Sequence, residues 1–214
     1  MNKKPIVINL FAGPSCGKST MAGSIFGLLK LHNVKCEYIQ EFARDLVYEN
    51  RINILNYDQI YIFSKQYTKM IRTQFGKVKP DVLITDSPLL LSLVYGKKAL
   101  SKHERMVILE AHFKFNNHNI FLRRNDKKPF FKMGRNQNDI RECKSLDIKI
   151  KEMLRDISHI ELSVGPLAIN TIVGEILDRF GIEQRFHIDD YIINSTMFKG
   201  INKYTERKDD FDVR

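Results

Sequence analysis

Short apolar stretches alternate along the chain with longer segments in which apolar residues recur every three or four positions. The apolar stretches of strand length are residues 6–12, 36–40, 81–86, 119–122 and 159–164. The segments with helical spacing are residues 18–31, 57–75, 102–115, 140–157 and 167–180. These periodicities predict five β-strands and five main helices. Strands that alternate with helices favour βαβ units, so the fold class is predicted to be α/β with a five-stranded, mostly parallel sheet covered by helices on both faces.

Two helical segments carry more specific expectations. In residues 57–75, Tyr57, Tyr67 and Phe75 are among the residues that share one helical face, which predicts a single long helix. In residues 167–180 the helix is expected to end at Gly181, which is suited to a C-cap.

The loop between the first strand and the first helix carries the most specific motif of the chain. It reads A-x-x-x-x-G-K-S from Ala12, which is the pattern of a phosphate-binding loop with alanine in the first position. We expect Gly13 and Gly17 to take backbone angles closed to other residues, so that successive N–H groups form an anion nest at a helix N-terminus. The predicted nucleotide-binding residues are Ala12, Gly13, Pro14, Ser15, Cys16, Gly17, Lys18, Ser19 and Thr20.

This loop predicts binding of ATP together with Mg²⁺. The ammonium group of Lys18 supplies a full positive charge to the β- and γ-phosphates, and the hydroxyl of Ser19 suits a magnesium ion. Asp86 ends an apolar strand, where a carboxylate is placed to support the same metal ion. A strand-end aspartate that only caps the following Ser87-Pro88 turn is the alternative. Because Ser87 stands where motor-type ATPases usually have a glutamate, a dedicated hydrolase is disfavoured.

Glu41 and Arg44 follow the second predicted strand, on the same edge of the sheet. A carboxylate at this edge is able to accept the proton of an attacking hydroxyl group, and an arginine is able to hold an anionic or hydroxylated substrate. The alternative is a helix-start glutamate that complements the helix dipole, followed by a surface arginine. The sequence leaves open whether Glu41 or Asp86 is the base.

A basic stretch follows the fourth predicted strand. Arg123, Arg124 and Arg135 lie on or after the strand end, in a segment that Pro129 and Gly134 interrupt. We expect a lid over about residues 124–140 that excludes water, with Arg124 and Arg135 stabilising negative charge on the transferred phosphoryl group. A basic loop without a catalytic role is the alternative.

Composition and charge narrow the class of protein. The 214 residues suffice for one ordinary domain, and three cysteines match no zinc or disulfide framework. No apolar run approaches the length of a membrane helix, and no signal peptide is evident, so a cytoplasmic protein without membrane contact is expected. The net charge is +10, and residues 65–79 hold five Lys or Arg without an acid. Clustered positive charge favours nucleotides or nucleic acid as partners, although solvated helix faces would give the same pattern.

Taken in order, the motifs resemble a known family. The segments FAGPSCGKST, EFARDL, VLITDSPLLLSLVYG, NIFLRRN and PFFKMGRNQ, within about residues 5–180, resemble small P-loop proteins of phage genomes that are catalogued as AAA-type ATPases. These are similar to the ribosylnicotinamide kinase domain of bacterial NAD-regulator proteins and, more loosely, to nucleoside and nucleotide kinases. The resemblance implies a kinase-like domain over residues 1–181 and leaves residues 182–214 as a C-terminal extension of unknown role.

The resemblance also implies roles for individual residues. Lys18 and Ser19 would hold ATP·Mg²⁺, and Asp86 would support the metal or act as base. Glu41 and Arg44 would face the phosphoryl acceptor. Arg124 and Arg135 would belong to the lid.

Three functions remain open at this point. The first is a phosphotransferase that moves the γ-phosphoryl group of ATP to a nucleoside, a nucleotide or a related small metabolite. The second is a kinase for nucleic acid, acting on a polynucleotide end or on a hydroxymethylated base in phage-like DNA, which the basic residues 65–79 favour. The third is a nucleotide-gated ATPase or binding module. The sequence identifies neither the acceptor nor the oligomeric state.

Overall fold

Five parallel strands form the centre of the fold. A computed structural model of the chain describes residues 4–73, 75, 77, 79–96, 99–125 and 139–193. The strands are β1 (Ile6–Phe11), β2 (Cys36–Ile39), β3 (Val82–Thr85), β4 (Asn116–Arg123) and β5 (Ile160–Ser163). They pair in the order β2-β3-β1-β4-β5, and every pairing is parallel. The predicted α/β fold with five strands is confirmed.

Helices connect the strands and cover both faces of the sheet. Within the described residues they are α1 (Lys18–Leu31), α2 (Phe42–Tyr48), α3 (Ile52–Tyr57), α4 (Gln59–Arg72), α5 (Leu91–Tyr95), α6 (Lys102–Phe113), α7 (Ile140–Met153), α8 (Pro166–Phe180) and α9 (Ile188–Ile193). None of these helices has both the length and the apolar composition that a membrane span requires.

The central strand β1 is buried on both faces, because its alternate side chains point into two separate cores. Ile6, Ile8 and Leu10 pack in the core that α1 and α8 complete. Val7 and Phe11 pack in the core formed by α4, α5, α6 and α7. Burial of each such side chain contributes on the order of 1.5–3 kcal/mol. Burial on both faces therefore explains the apolar pattern of residues 6–12, because a strand that is covered on both faces has no side that is exposed to water.

A polar cluster interrupts the second core. The Nδ2 atom of Asn9 donates hydrogen bonds to Oδ1 of Asn117 at 2.9 Å and to Oδ1 of Asn119 at 3.0 Å. Buried amides are tolerated where their hydrogen bonds are satisfied. This pairing explains why β4 begins at Asn116 rather than at residue 119, where the apolar pattern begins.

The predicted helix over residues 57–75 is wrong at both ends. Tyr57 belongs to α3, and the Asp58 side chain caps the next helix by accepting a hydrogen bond from the backbone N–H of Tyr61 at 2.9 Å. Tyr57 and Phe75 are 81% and 79% exposed. Asp58, which divides α3 from α4, is therefore the N-cap of α4, and its side chain satisfies a free N–H group in the first turn of that helix.

The C-terminal part of the described chain packs on the domain. Helix α8 ends at Gly181, as expected. After it, the backbone N–H groups of Arg185 and Phe186 donate to Nε2 of His32 at 2.9 and 3.2 Å. Residues 194–214 of the predicted C-terminal extension lie outside the described residues.

Candidate active site

The phosphate-binding loop lies between β1 and α1, at the edge of the sheet where the strands end. Gly17 caps α1 with φ +104°, an angle that favours glycine. The expectation that Gly13 also takes such an angle is wrong, because Gly13 is not in the left-handed region, and Ser15 instead adopts a left-handed angle of 55°. Glycine is required at position 13 because a larger residue would clash with neighbouring atoms. A Cβ atom there would lie 2.7 Å from Oδ1 of Asp147 and 2.7 Å from the carbonyl oxygen of Cys143.

The Lys18 ammonium group is held against the loop. Its Nζ atom donates to the carbonyl oxygens of Ala12 at 2.9 Å and Gly13 at 3.0 Å, and the side chain is largely buried. These two acceptors offset part of the desolvation of the charge. The ammonium group and the N-terminus of α1 thus concentrate positive charge at one place, which favours the binding of an anion.

Ser19 and Asp86 meet at this edge, as predicted for a metal site. The Ser19 hydroxyl donates to Oδ2 of Asp86 at 2.5 Å, and Asp86 is 1% exposed. Its other oxygen, Oδ1, is buried and accepts no hydrogen bond from any residue that the structure describes. A buried carboxylate oxygen without a donor is costly unless a cation occupies the position. Carboxylate and hydroxyl oxygens are the ligands that Mg²⁺ prefers, so these residues fit a magnesium ion.

Arg44 connects the predicted metal residues to the predicted acceptor residues. Its Nη2 atom donates to Oγ of Ser19 at 2.6 Å and lies 3.6 Å from Oδ2 of Asp86. The same atom lies 3.6 Å from Oε2 of Glu41, the N-cap residue of α2. The structure therefore brings together Ser19, Glu41, Arg44 and Asp86 from three separate elements.

Tyr38 belongs to this cluster, although its sequence context indicates only a strand. Its hydroxyl group interacts with Asp86 and Ser19. Burial, together with the negative charge of Asp86, raises the pKa of the Tyr38 phenol far above its usual value. The phenol therefore keeps its proton and serves as a neutral hydrogen-bonding group beside the carboxylate.

Gln66 fixes the relative position of the two strand ends. Its Oε1 atom accepts from the backbone N–H of Phe42 at 3.1 Å, and its Nε2 atom donates to Oγ1 of Thr85 at 3.4 Å. The start of α2, which carries Glu41 and Arg44, is thereby tied to the residue that precedes Asp86. The helical pattern gives no signal for this role, because it does not show which partners a polar side chain on the buried face of the helix will meet.

Arg124 lies against the loop and is paired with a helix residue. Its Nη2 atom donates to the carbonyl oxygen of Pro14 at 2.8 Å, and its Nε atom donates to Oδ2 of Asp147 at 2.8 Å. Oδ1 of Asp147 accepts from the backbone N–H of Gly13 at 2.5 Å. Burial opposes the charged form of Arg124, but the hydrogen bond and negative charge of Asp147 outweigh it and raise the pKa of the guanidinium.

Arg124 and Asp147 thus form a partly buried ion pair that contacts the loop at Pro14 and at Gly13. Sequence reasoning missed Asp147, since it lies in a charged helical pattern typical of a solvated surface. Arg135 and residues 126–138 of the predicted lid lie outside the described residues.

Comparison with known proteins identifies a family for most of the chain. The family described as "AAA domain" matches residues 7–167, a range that includes the loop, Glu41, Asp86 and Arg124. No curated protein is significantly similar to the chain in sequence.

Two solved NadR structures share the fold. NadR protein in complex with NR has a TM-score of 0.61 and 14% identity, over 85% of this chain and 52% of that chain. NadR protein in complex with NAD and AMP-PNP has a TM-score of 0.58 and 15% identity, over 84% and 50%. The chain thus spans about half the length of these NadR chains. Deoxyadenosine kinase from M. mycoides, with dCMP and dCDP bound, has a TM-score of 0.46 and 14% identity, over 82% and 98%. The family match confirms the predicted resemblance to small P-loop proteins that are catalogued as AAA-type ATPases, and the two NadR structures share the fold.

Proposed function

The chain belongs to the AAA domain family, and on that premise we propose that it is an ATP-dependent phosphotransferase for a nucleoside, a nucleotide or a related small metabolite. The observation that carries the proposal is the position of Arg44. Its guanidinium contacts Ser19 and Asp86 next to the phosphate-binding loop, and the same Nη2 atom lies 3.6 Å from Glu41. A second carboxylate and an arginine next to a phosphate-binding loop support an acceptor other than water.

The donor side is formed by the loop and its neighbours. The backbone N–H groups of residues 15–20 and the Lys18 ammonium group bind the phosphates of ATP. Ser19 and Asp86 would hold the magnesium ion that accompanies the nucleotide. When bound, this ion neutralises negative charge on the phosphate oxygens. Arg124 keeps the loop in place through the carbonyl oxygen of Pro14.

On the acceptor side, Glu41 is the base and Arg44 positions the substrate. Glu41 is partly exposed, whereas Asp86 is buried and already accepts a hydrogen bond from Ser19. The Glu41 carboxylate takes the proton of the acceptor hydroxyl as the acceptor oxygen bonds to the γ-phosphorus. The bond between that phosphorus and the bridging oxygen breaks, and ADP leaves. The result is a phosphorylated acceptor, ADP and one proton on Glu41.

A nucleoside-like acceptor has support from the structures that share the fold. One NadR structure holds NR and another holds AMP-PNP. A nucleoside and an ATP analogue are therefore ligands of proteins with this architecture, and both classes belong in the first set of compounds to be tested.

The test is a panel of acceptors with ATP and Mg²⁺. Nucleosides, mononucleotides, nicotinamide riboside and a short DNA are each incubated with the protein, and both ADP and phosphorylated products are measured. We expect a phosphorylated small molecule and ADP release that rises with that acceptor. The Lys18→Ala variant should lose this activity, whereas Lys114→Ala, at an exposed lysine on the opposite edge, should retain it.

Other outcomes identify the alternatives. Phosphorylation of the DNA alone would support a nucleic-acid kinase. An ADP release rate that no acceptor changes would contradict both kinases and support a nucleotide-gated module.

A further inference from the structure

A basic cavity lies at the opposite end of the sheet from the phosphate-binding loop. Its volume is about 370 Å³, and its lining includes Lys30, Lys35, Glu37, Arg72, Thr73 and Lys79. Lys35 immediately precedes β2, and Lys79 lies shortly before β3, so the cavity is at the amino ends of these strands. Four-residue strands separate the two edges by about 13 Å. The cavity is therefore a place distinct from the candidate active site.

The cavity carries an excess of positive charge. Four of its side chains are cations and one, Glu37, is an acid. Within the part of the chain that the structure describes, none of the four cations forms an ion pair, and Lys30 lies over the ring of Phe26. Like charges around one cavity repel each other, and an anion between them removes that repulsion. The cavity thus favours a ligand that carries negative charge.

A row of cations on α4 continues from this cavity towards the candidate active site. Lys65, Lys69 and Arg72 are spaced four and three residues apart, which places them on one face of the helix. Arg72, at one end of the row, lines the cavity at the amino ends of the strands. Gln66, which follows Lys65 at the other end of the row, contacts Thr85 at the carboxyl end of β3. The row therefore runs along the helix from one edge of the sheet to the other. Asp45 pairs with Lys69 at 3.5 Å and neutralises part of the row.

We propose that this surface, formed by the cavity and the α4 row, binds the phosphodiester backbone of a single-stranded nucleic acid. A single small anion would occupy the cavity alone and would leave the α4 row unused. A strand with repeated phosphates matches a cavity and a row of separate cations. The surface includes no residue of the phosphate-binding loop, so this proposal does not depend on the proposed phosphotransfer.

The test is the salt dependence of binding to a labelled single-stranded oligonucleotide of twenty nucleotides, measured by fluorescence anisotropy. If the four cavity cations and Lys65 of the α4 row each neutralise a phosphate, the slope of log K against log salt concentration is about −3.5, at roughly 0.7 per phosphate. The Lys35→Gln/Lys79→Gln variant should reduce the magnitude of the slope by about 1.4. It should keep the melting temperature and the phosphotransfer rate of the unaltered protein, since both lysines are exposed.

A matched control separates this surface from general charge. The Lys102→Gln/Lys149→Gln variant removes the same charge from exposed positions on α6 and α7, and it should leave the slope unchanged. An equal loss in both variants, or binding without salt dependence, would overturn the proposal. Competition by inorganic phosphate at concentrations equal to those of oligonucleotide phosphate would also overturn it, because the site would then take a small anion.

Discussion

The Ser19 hydroxyl donates a 2.5 Å hydrogen bond to Asp86, and this contact joins the start of α1 to the end of β3. It uses only one oxygen of the carboxylate. The second oxygen is buried and receives no hydrogen bond from the described residues. The pair therefore offers the hydroxyl oxygen of Ser19 and the second carboxylate oxygen of Asp86 next to the phosphate-binding loop. This arrangement is typical of a magnesium site in which a nucleotide supplies the remaining ligands.

The Asp86→Asn variant should lose phosphotransfer by at least about 100-fold in kcat, because the amide keeps the shape of the carboxylate but not its charge. The measurement is kcat at increasing Mg²⁺ concentration. The Asp45→Asn variant is the control, since Asp45 is exposed and pairs only with Lys69 among the described residues, and it should remain active. A kcat within tenfold of the unaltered protein at saturating Mg²⁺ would contradict the assignment of Asp86.

The Arg124→Ala variant should destabilise the fold by about 2 kcal/mol, since it leaves the partly buried Asp147 carboxylate without its cation. The Arg124→Ala/Asp147→Ala double variant should cost less than the sum of the two single changes, as expected for residues in contact. Urea unfolding of the three variants measures this coupling. As a control, Arg51→Ala removes an exposed pair with Glu49 and should change stability by less than about 1 kcal/mol. Additive effects at Arg124 and Asp147 would show that the pair does not act as a unit.

The Arg44→Ala variant tests the acceptor side. We expect KM for the acceptor to rise by about 10- to 150-fold, because a charged hydrogen bond contributes roughly 1.5–3 kcal/mol. KM for ATP should change less. Initial rates with either substrate varied separate the two effects, and Lys65→Ala, on the exposed face of α4, is the control that should leave both constants unchanged. A rise in KM for ATP alone would assign Arg44 to the donor side.

Local patterns were sufficient to predict one part of the site. The loop from Ala12 to Thr20 is continuous in sequence and follows a strand that is buried on both faces. Asp86 and Glu41 could be predicted because both follow a strand and all strands of a parallel sheet end at the same edge. These inferences need only periodicity and the rule for parallel sheets.

Contacts between residues that are far apart in the sequence could not be predicted in this way. Asp147 meets the Gly13 backbone across 134 residues of sequence, and nothing in its charged helix indicates this partner. The short helices α2, α3 and α5 contain five to seven residues, fewer than two full turns, so no 3.6-residue period emerges from them. Tyr38 has an aromatic side chain that is typical of a strand, and its contact with Asp86 depends on the pairing of β2 with β3.

His112 gives the fold a specific dependence on pH. The side chain is 1% exposed, and its Nε2 atom has no hydrogen-bond partner in the described part of the chain. Burial lowers its pKa from 6.5 to about 4, because the charged form loses its hydration. Between these two values the unfolded chain binds a proton that the folded chain does not. Stability is therefore fully present above pH 6.5 and falls as the pH drops towards 4.

The His112→Leu variant should remove this part of the pH dependence, which amounts to about 3 kcal/mol between pH 7.5 and 4. The measurement is the free energy of unfolding in urea at both pH values, compared with that of the unaltered protein. Carboxylates contribute equally to both proteins and cancel in the difference. The His103→Leu variant, at an exposed position of the same helix, is the control and should keep the original dependence. If His112→Leu loses as much stability on acidification as the unaltered protein does, a different group is responsible, and the buried imidazole must gain its proton without cost.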